Sequence, residues 1–321
     1  MEFLGIDIGG TKCAVVRGNE KGAILERIKF ETTTAEETLN NIFSAAEKIK
    51  GESLAVGISC GGPLDSEKGI ILSPPNLSGW DRVEIVKMVN QRLGLSAYLC
   101  NDANACALAE WRFGAGKGSR NMIFLTFGTG MGAGLILDGK LYNGANGNAG
   151  EVGHIRLERF GPCGYGKQGS FEGFASGGGI AMLGKMKAIE ALQRGEKPLY
   201  CNDLSKLDSV TAKSIADAAR QGDKLAAEVY NSVGEMLGRG LSILIDILNP
   251  EVIVLGSIYQ RSSELMKKSM QKVIDAEALR CSTEAAEIKA AELGDALGDK
   301  AAIALAVECY KRKADLKCSE N

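Results

Sequence analysis

The sequence predicts an α/β protein built as two lobes, and three observations carry that prediction. A strand–glycine turn–strand pattern occurs twice. Residues 3–8, Gly9-Gly10 and residues 12–17 make the first copy; residues 122–127, the glycines of 128–134 and residues 135–137 make the second. Apolar runs of strand length alternate with amphipathic helical stretches around both copies. The chain has 321 residues, 45% of them hydrophobic, which suffices for two domains of ordinary size.

Taken in order, the first hairpin is followed by turn residues 19–22 and a third strand over 23–32. A helix over 35–50 places Leu39, Ile42, Phe43 and Ala46 on one face. The short apolar strand 53–59 runs into Gly61-Gly62-Pro63. A helix is expected over 81–93, with Asp81 as its cap, and a strand over 97–100 delivers Asn101-Asp102 to a helix starting near Ala103. The glycines of 114–118 mark a boundary, giving a first domain over 1–118 and a larger second domain over 119–296. Within the second domain, the glycine-rich stretch 144–179 is too long for a simple connector. Helices are expected over 211–220, 223–248 and 262–276, and strands over 252–255 and 287–293. A last helix over 297–313 returns to complete the first domain.

A formal charge of −2 gives no electrostatic reason to expect nucleic acid or an anionic membrane surface as a partner. Asp246 and Asn249 interrupt the longest apolar run, 241–255, so no membrane span is expected. No charged leader precedes the first strand, and nine scattered cysteines suit reduced thiols, so a cytoplasmic location is expected.

Three motifs carry chemistry. In Asp7-Ile8-Gly9-Gly10-Thr11-Lys12, two glycines let backbone N–H groups approach phosphate oxygens, while Asp7 would hold a hydrated Mg²⁺; the alternative is a hairpin whose glycines only satisfy a turn. Gly128, Gly130, Gly132 and Gly134 alternate through the second turn, an entropic cost that a plain strand would avoid. Asn101-Asp102-Ala103-Asn104 stands at a strand-to-helix junction, where Asp102 serves either as a helix cap or as a general base.

Together with Gly61-Gly62-Pro63, Asn76-Leu77-x-Gly79-Trp80, Gly150-Glu151-x-Gly153-His154, Glu172-x3-Ser176-Gly177 and Asn249-Pro250-Glu251-x-Ile253-Val254-Leu255-Gly256, these motifs resemble, in order and spacing, the ROK sugar kinases from residue 3 to about residue 310. The resemblance implies a two-lobed actin-like (sugar kinase/Hsp70) fold with ATP and sugar bound in the interdomain cleft. It implies ATP with Mg²⁺ as cofactors, a small sugar as partner, and a homodimer. The implied reaction is phosphorylation of a hexose, glucose at O6 being the first expectation. An N-acetylhexosamine (N-acetylmannosamine or N-acetylglucosamine) or fructose is the alternative, and a catalytically silent sugar sensor the non-enzymatic one. Carried over by residue, Asp102 is the base. Asn76, Asn101, Glu151, His154, Glu172 and Gly62 meet the sugar. Gly9, Gly10, Thr11, Lys12, Thr129 and Gly130 surround the phosphates, with Asp7 on Mg²⁺ through water. Gly256 and Ser257 match the adenosine-side loop, where the family usually carries more glycine.

Many family members bind zinc through the histidine of Glu-x-x-His and three cysteines. Here only Cys163 stands in the corresponding stretch, with Gly161 and Ser170 at the other ligand positions, so no zinc site is expected. His154, the single histidine, then needs a hydrogen bond to orient it, and Lys167 and Gln168 are candidates to brace the loop. ROK repressors carry a winged-helix domain ahead of the sugar-binding part; the first phosphate loop opens this chain and no basic recognition helix appears, so DNA binding is not expected.

Overall fold

The computed structural model describes residues 1–319. Strands β1 (Glu2–Ile8), β2 (Lys12–Asn19) and β3 (Ile24–Glu31) form an antiparallel meander, followed by α1 (Ala35–Ile49). Strand β4 (Ala55–Cys60), the small hairpin β5 (Leu64–Asp65) and β6 (Ile70–Ile71), helix α2 (Ile85–Leu93), strand β7 (Ser96–Asn101) and helix α3 (Asp102–Phe113) complete the first stretch. Because β4 pairs parallel with both β1 and β7, the sheet order is β3-β2-β1-β4-β7. The register aligns Ile8 with Cys60 and Cys60 with Asn101. Three parallel strands therefore end level, which is where α/β sheets present ligand-binding loops.

The second sheet repeats this design. Strands β8 (Met122–Leu125), β9 (Ala133–Leu137) and β10 (Lys140–Tyr142) are followed much later by β13 (Val252–Leu255) and β14 (Glu287–Ala290), in the order β10-β9-β8-β13-β14. Between them lie a short hairpin, β11 (Cys163–Gly164) and β12 (Lys167–Gln168), and helices α4 (Phe171–Phe174), α5 (Gly177–Gln193), α6 (Ala212–Arg220) and α7 (Lys224–Leu248). Helices α8 (Ile258–Glu277), α9 (Arg280–Thr283) and α10 (Leu297–Ser319) close the chain. The glycine-rich stretch is thus structured, carrying a 3₁₀ turn at Val152–His154, the hairpin and α4.

Contacts divide the chain into two units: residues 1–120, 134–149 and from 292 onward, and residues 121–133 with 150–291. In the first unit α10 lies against β1 and β4. A Cβ at Gly5 would stand 2.8 Å from Ala302 Cβ, so glycine there lets the helix press onto the sheet. Buried Leu4, Ile6, Val56 and Ile58 fill the other face against α1 and α2. In the second unit α7 packs along α8. No helix of the described residues is long and apolar enough to cross a membrane.

Two helix starts differ from expectation. Asp81 does not cap α2. Val83 and Ile71 exchange backbone hydrogen bonds that hold the segment extended, so the helix waits until Ile85, and Asp81 accepts instead from the Ser73 hydroxyl. Helix α8 starts four residues early, at Ile258, and kinks at Ser262, whose φ is −144°.

Candidate active site

Asp7 is the last residue but one of β1, opposite Ser59 on β4, and half-buried. Burial, then the nearby Asp299 and Asp102 carboxylates, push its pKa up to about 6, while a hydrogen bond from Ser59 pulls the other way. After β1 the chain turns tightly: Gly9 N–H donates to Lys12 O at 3.2 Å, and Thr32 Oγ1 donates to Gly9 O at 2.6 Å. Gly10, Thr11 and Lys12 stay exposed. A Cβ on Gly10 would come within 2.7 Å of Asn76 Cβ, so the glycine lets the exposed Asn76 loop approach the turn.

Asn101 and Asp102 follow β7. The capping role falls to Asn101 rather than to Asp102. Asn101 is the cap of α3, accepting from Ala103 N–H at 2.9 Å. Asp102 accepts from the same N–H through Oδ1 at 2.8 Å, and its Oδ2 makes no hydrogen bond among the described residues. The side chain reaches solvent, yet dense surrounding protein desolvates it and raises its pKa, with the Ala103 N–H opposing. The loop after β4 leaves space beside the pair. A Cβ on Gly61 would still be 4.0 Å from Asp102 Oδ2, and one on Gly62 3.5 Å from Asn101 Nδ2.

Sequence reasoning missed Asp299. It is 5% exposed in the first turn of α10, and Arg27 Nε lies 3.1 Å from its Oδ2. Burial raises its pKa against the pull of Arg27 and Lys29. The preceding Gly298 abuts Asp7, since a Cβ there would meet Asp7 Oδ2 at 2.6 Å. Nothing local links residue 299 to residue 7; only the packing of α10 on β1 does.

In the second unit the hairpin after β8 is tied by Thr126 N–H to Gly132 O at 3.0 Å, by Gly132 N–H to Thr126 Oγ1 at 2.9 Å, and by Gly128 N–H to Gly130 O at 3.0 Å. Glu172, in α4, accepts from Met131 N–H at 2.9 Å, so it holds this hairpin as well as being a candidate sugar ligand. Glu151 and His154 are exposed on the neighbouring 3₁₀ turn. The expected hydrogen bond to the His154 ring is not found among the described residues; the ring instead stands edge-on to Tyr165, 6.4 Å between centroids. The loop is braced through its backbone. Lys167 Nζ donates to His154 O at 2.7 Å, and Arg156 Nη1 to Gln168 O at 2.6 Å.

In the stretch expected to lack zinc ligands, Cys163 is exposed and Ser170 is fully buried, capping α4 by accepting from Gly173 N–H at 3.1 Å. Gly161, at φ 146°, carries no side chain where the Phe174 ring packs. Thr129 and Ser257 line one cavity of about 340 Å³ in this unit, whereas Gly130 and Gly256 do not. Ser257 has φ 40° and ψ −85°, a conformation that costs a non-glycine residue about 1–3 kcal/mol. A larger cavity, about 720 Å³, lies in the first unit beside Trp111 and Lys117 and contains none of the predicted site residues.

Two sheets of matching order, one with aspartates at the ends of its parallel strands and the other with a glycine hairpin, define an actin-like α/β fold. The chain belongs to the ROK family, which it matches over residues 3–308. It is 37% identical over 273 residues to the glucokinase of Streptomyces coelicolor, covering 84% of this chain and 86% of that one. The solved ROK family glucokinase from Streptomyces griseus in complex with glucose and AMPPNP is 34% identical with a TM-score of 0.76, covering 96% of this chain and 100% of that one. The xylose repressor of Caldicellulosiruptor bescii is 31% identical over 284 residues, 85% of this chain and 70% of that protein.

Proposed function

We propose that the protein is an ATP-dependent hexose kinase that phosphorylates glucose at O6, with Asp102 as general base and Mg-ATP as donor. The observation that carries this reading is Asp102 itself. Its Oδ1 is fixed by Ala103 N–H, its Oδ2 is free beside the space over Gly61, and burial raises its pKa above that of an ordinary aspartate, which makes it a stronger base. A residue serving only as a cap would not need the second oxygen, and Asn101 already caps the helix.

Phosphoryl transfer is largely positioning and charge neutralisation. On this reading Asn76, Asn101, Glu151, His154, Glu172 and Gly62 orient the sugar so that its hydroxyl proton passes to Asp102. Asp7 supplies the carboxylate for the hydrated magnesium of the donor, and its half-buried position beside the exposed Gly10–Lys12 turn suits that role. Gly9, Gly10, Thr11, Lys12, Thr129 and Gly130 meet the phosphates, and Gly256 and Ser257 the adenosine side. The likeness to glucokinases at 37% and 34% identity supports glucose as the sugar. The reading extends to a cytoplasmic homodimer in which residues 1–118 with 297–313, and residues 119–296, act as the two domains.

The test is ADP release with Mg-ATP against a panel of hexoses and N-acetylhexosamines. Turnover that depends on glucose supports the proposal. Turnover confined to another sugar corrects the substrate, and binding of sugar without turnover on any of them overturns the kinase reading in favour of a sensor.

A further inference from the structure

The 340 Å³ cavity of the second unit holds two residues that no motif marks. Lys213 is in the first turn of α6, and Arg261 is in the first turn of α8. Neither has a carboxylate partner among the described residues, and both are exposed. Two uncompensated cations lining one small cavity, beside Gly128 and Thr129 of the hairpin, favour an occupant that brings negative charge or acceptor oxygens.

Ser257 gives a second, independent reason. It precedes α8 at a positive φ of 40°, a backbone conformation that favours glycine over a residue with a side chain. Its hydroxyl does not cap the helix. It accepts instead from Arg261 Nη2 at 2.9 Å, one turn along. Arg261 is further fixed through its backbone, whose carbonyl accepts from Arg220 Nη2 at 2.6 Å. A strained serine thus stands where its side chain holds a guanidinium at the cavity. That arrangement pre-organises the fork of N–H donors, which arginine offers to paired oxygens.

We infer that Arg261, positioned by Ser257, and Lys213 bind the ribose and α-phosphate of the donor nucleotide. This rests on the kinase reading and deepens it. The cavity is of a size for a nucleoside with its first phosphate rather than for a whole nucleoside triphosphate. The glycine and alanine walls (Gly177, Gly178, Ala181) leave room for a flat base, and the two cations supply the polar grip. The apolar Ile258 completes the base side.

The experiment is titration calorimetry of ADP with the full chain, wild type against Arg261→Ala, Lys213→Ala and Arg261→Lys, together with KM values for ATP and sugar. Each alanine variant is expected to weaken ADP by roughly 10-fold or more, as for loss of a charge-assisted hydrogen bond. Arg261→Lys should fall between, because it keeps the charge and loses the fork. Ser257→Gly should raise the ADP Kd by about 2- to 5-fold through the unanchored Arg261, as for one lost neutral hydrogen bond. The KM for ATP should rise more than the KM for sugar. ADP affinity within twofold of wild type in both alanine variants overturns the inference, as does an equal rise in both KM values. If wild type binds ADP but shows no sugar-dependent turnover, the kinase reading fails while the ADP titrations still decide the roles of Arg261 and Lys213.

Discussion

Replacing Glu110 by alanine is expected to destabilise the protein more than any other single truncation of a polar side chain in the first unit. Glu110 is fully buried in α3. Its Oε2 accepts from Ala115 N–H at 2.9 Å, and its Oε1 accepts from Glu292 N–H and Leu293 N–H, both at 3.0 Å. One carboxylate thereby satisfies the turn that leaves α3 and the segment that leads into α10. Alanine strands three backbone donors, and each unsatisfied donor costs about 1–3 kcal/mol, so a loss of about 3–6 kcal/mol follows after partial access of water. Glutamine keeps one acceptor oxygen but turns donors toward donors, and should cost about 2–3 kcal/mol. Urea denaturation at neutral pH, followed by circular dichroism with slopes compared between variants, measures both. A loss below about 1 kcal/mol for alanine, at unchanged slope, would refute the reasoning and show that water or a small backbone shift replaces the carboxylate.

Four further outcomes follow from the site. Asp7 carries a folded pKa of about 6 against 3.8 for the ordinary group, so ionisation at neutral pH opposes folding; this penalty is absent below pH 3.8, grows between 3.8 and 6 and is complete above 6. Asp7→Asn should therefore stabilise the unliganded protein by up to about 3 kcal/mol in neutral buffer while weakening Mg-ATP binding, read by thermal melting with and without nucleotide. By the same sign, Mg-ATP affinity of the wild type should fall as pH drops below about 6. Gly10→Ala would drive a Cβ to 2.8 Å from Asn76 O, so the Asn76 loop must shift; sugar KM should rise about tenfold at a stability cost of about 1–3 kcal/mol. Lys167→Ala removes the bond to His154 O, and sugar KM should rise about 2- to 10-fold with ATP KM unmoved.

The strands, most helices and the repeated hairpin were legible because period and glycine turns are local signals. The meander and the positions of Asp7, Asn101 and Asp102 at strand ends followed from that. The misplaced start of α2 was not legible, because an isolated pairing of Ile71 with Val83 outweighs the capping tendency of Asp81. Asp299 and Glu110 were invisible for a related reason. Each looks like an ordinary helix carboxylate until α10 and the segment before it return to the first unit across nearly two hundred residues or more. Lys213 and Arg261 belong to helices that only the tertiary fold brings to one cavity. The His154 loop was legible as a departure from pattern, while its brace, a lysine bonded to a backbone carbonyl, has no signature in sequence.

The central claim is that Asp102 takes the proton of the attacking sugar hydroxyl, and Asp102→Asn tests it with the least disturbance of shape. The measurement is single-turnover phosphoryl transfer from Mg-ATP to glucose, wild type against variant, with ADP affinity and melting temperature recorded on the same samples. A fall of about 10²–10⁴-fold in the transfer rate, with nucleotide affinity and folding retained, is the predicted result. A variant that transfers phosphate within tenfold of wild type would contradict the account and return Asp102 to the role of a helix-end carboxylate.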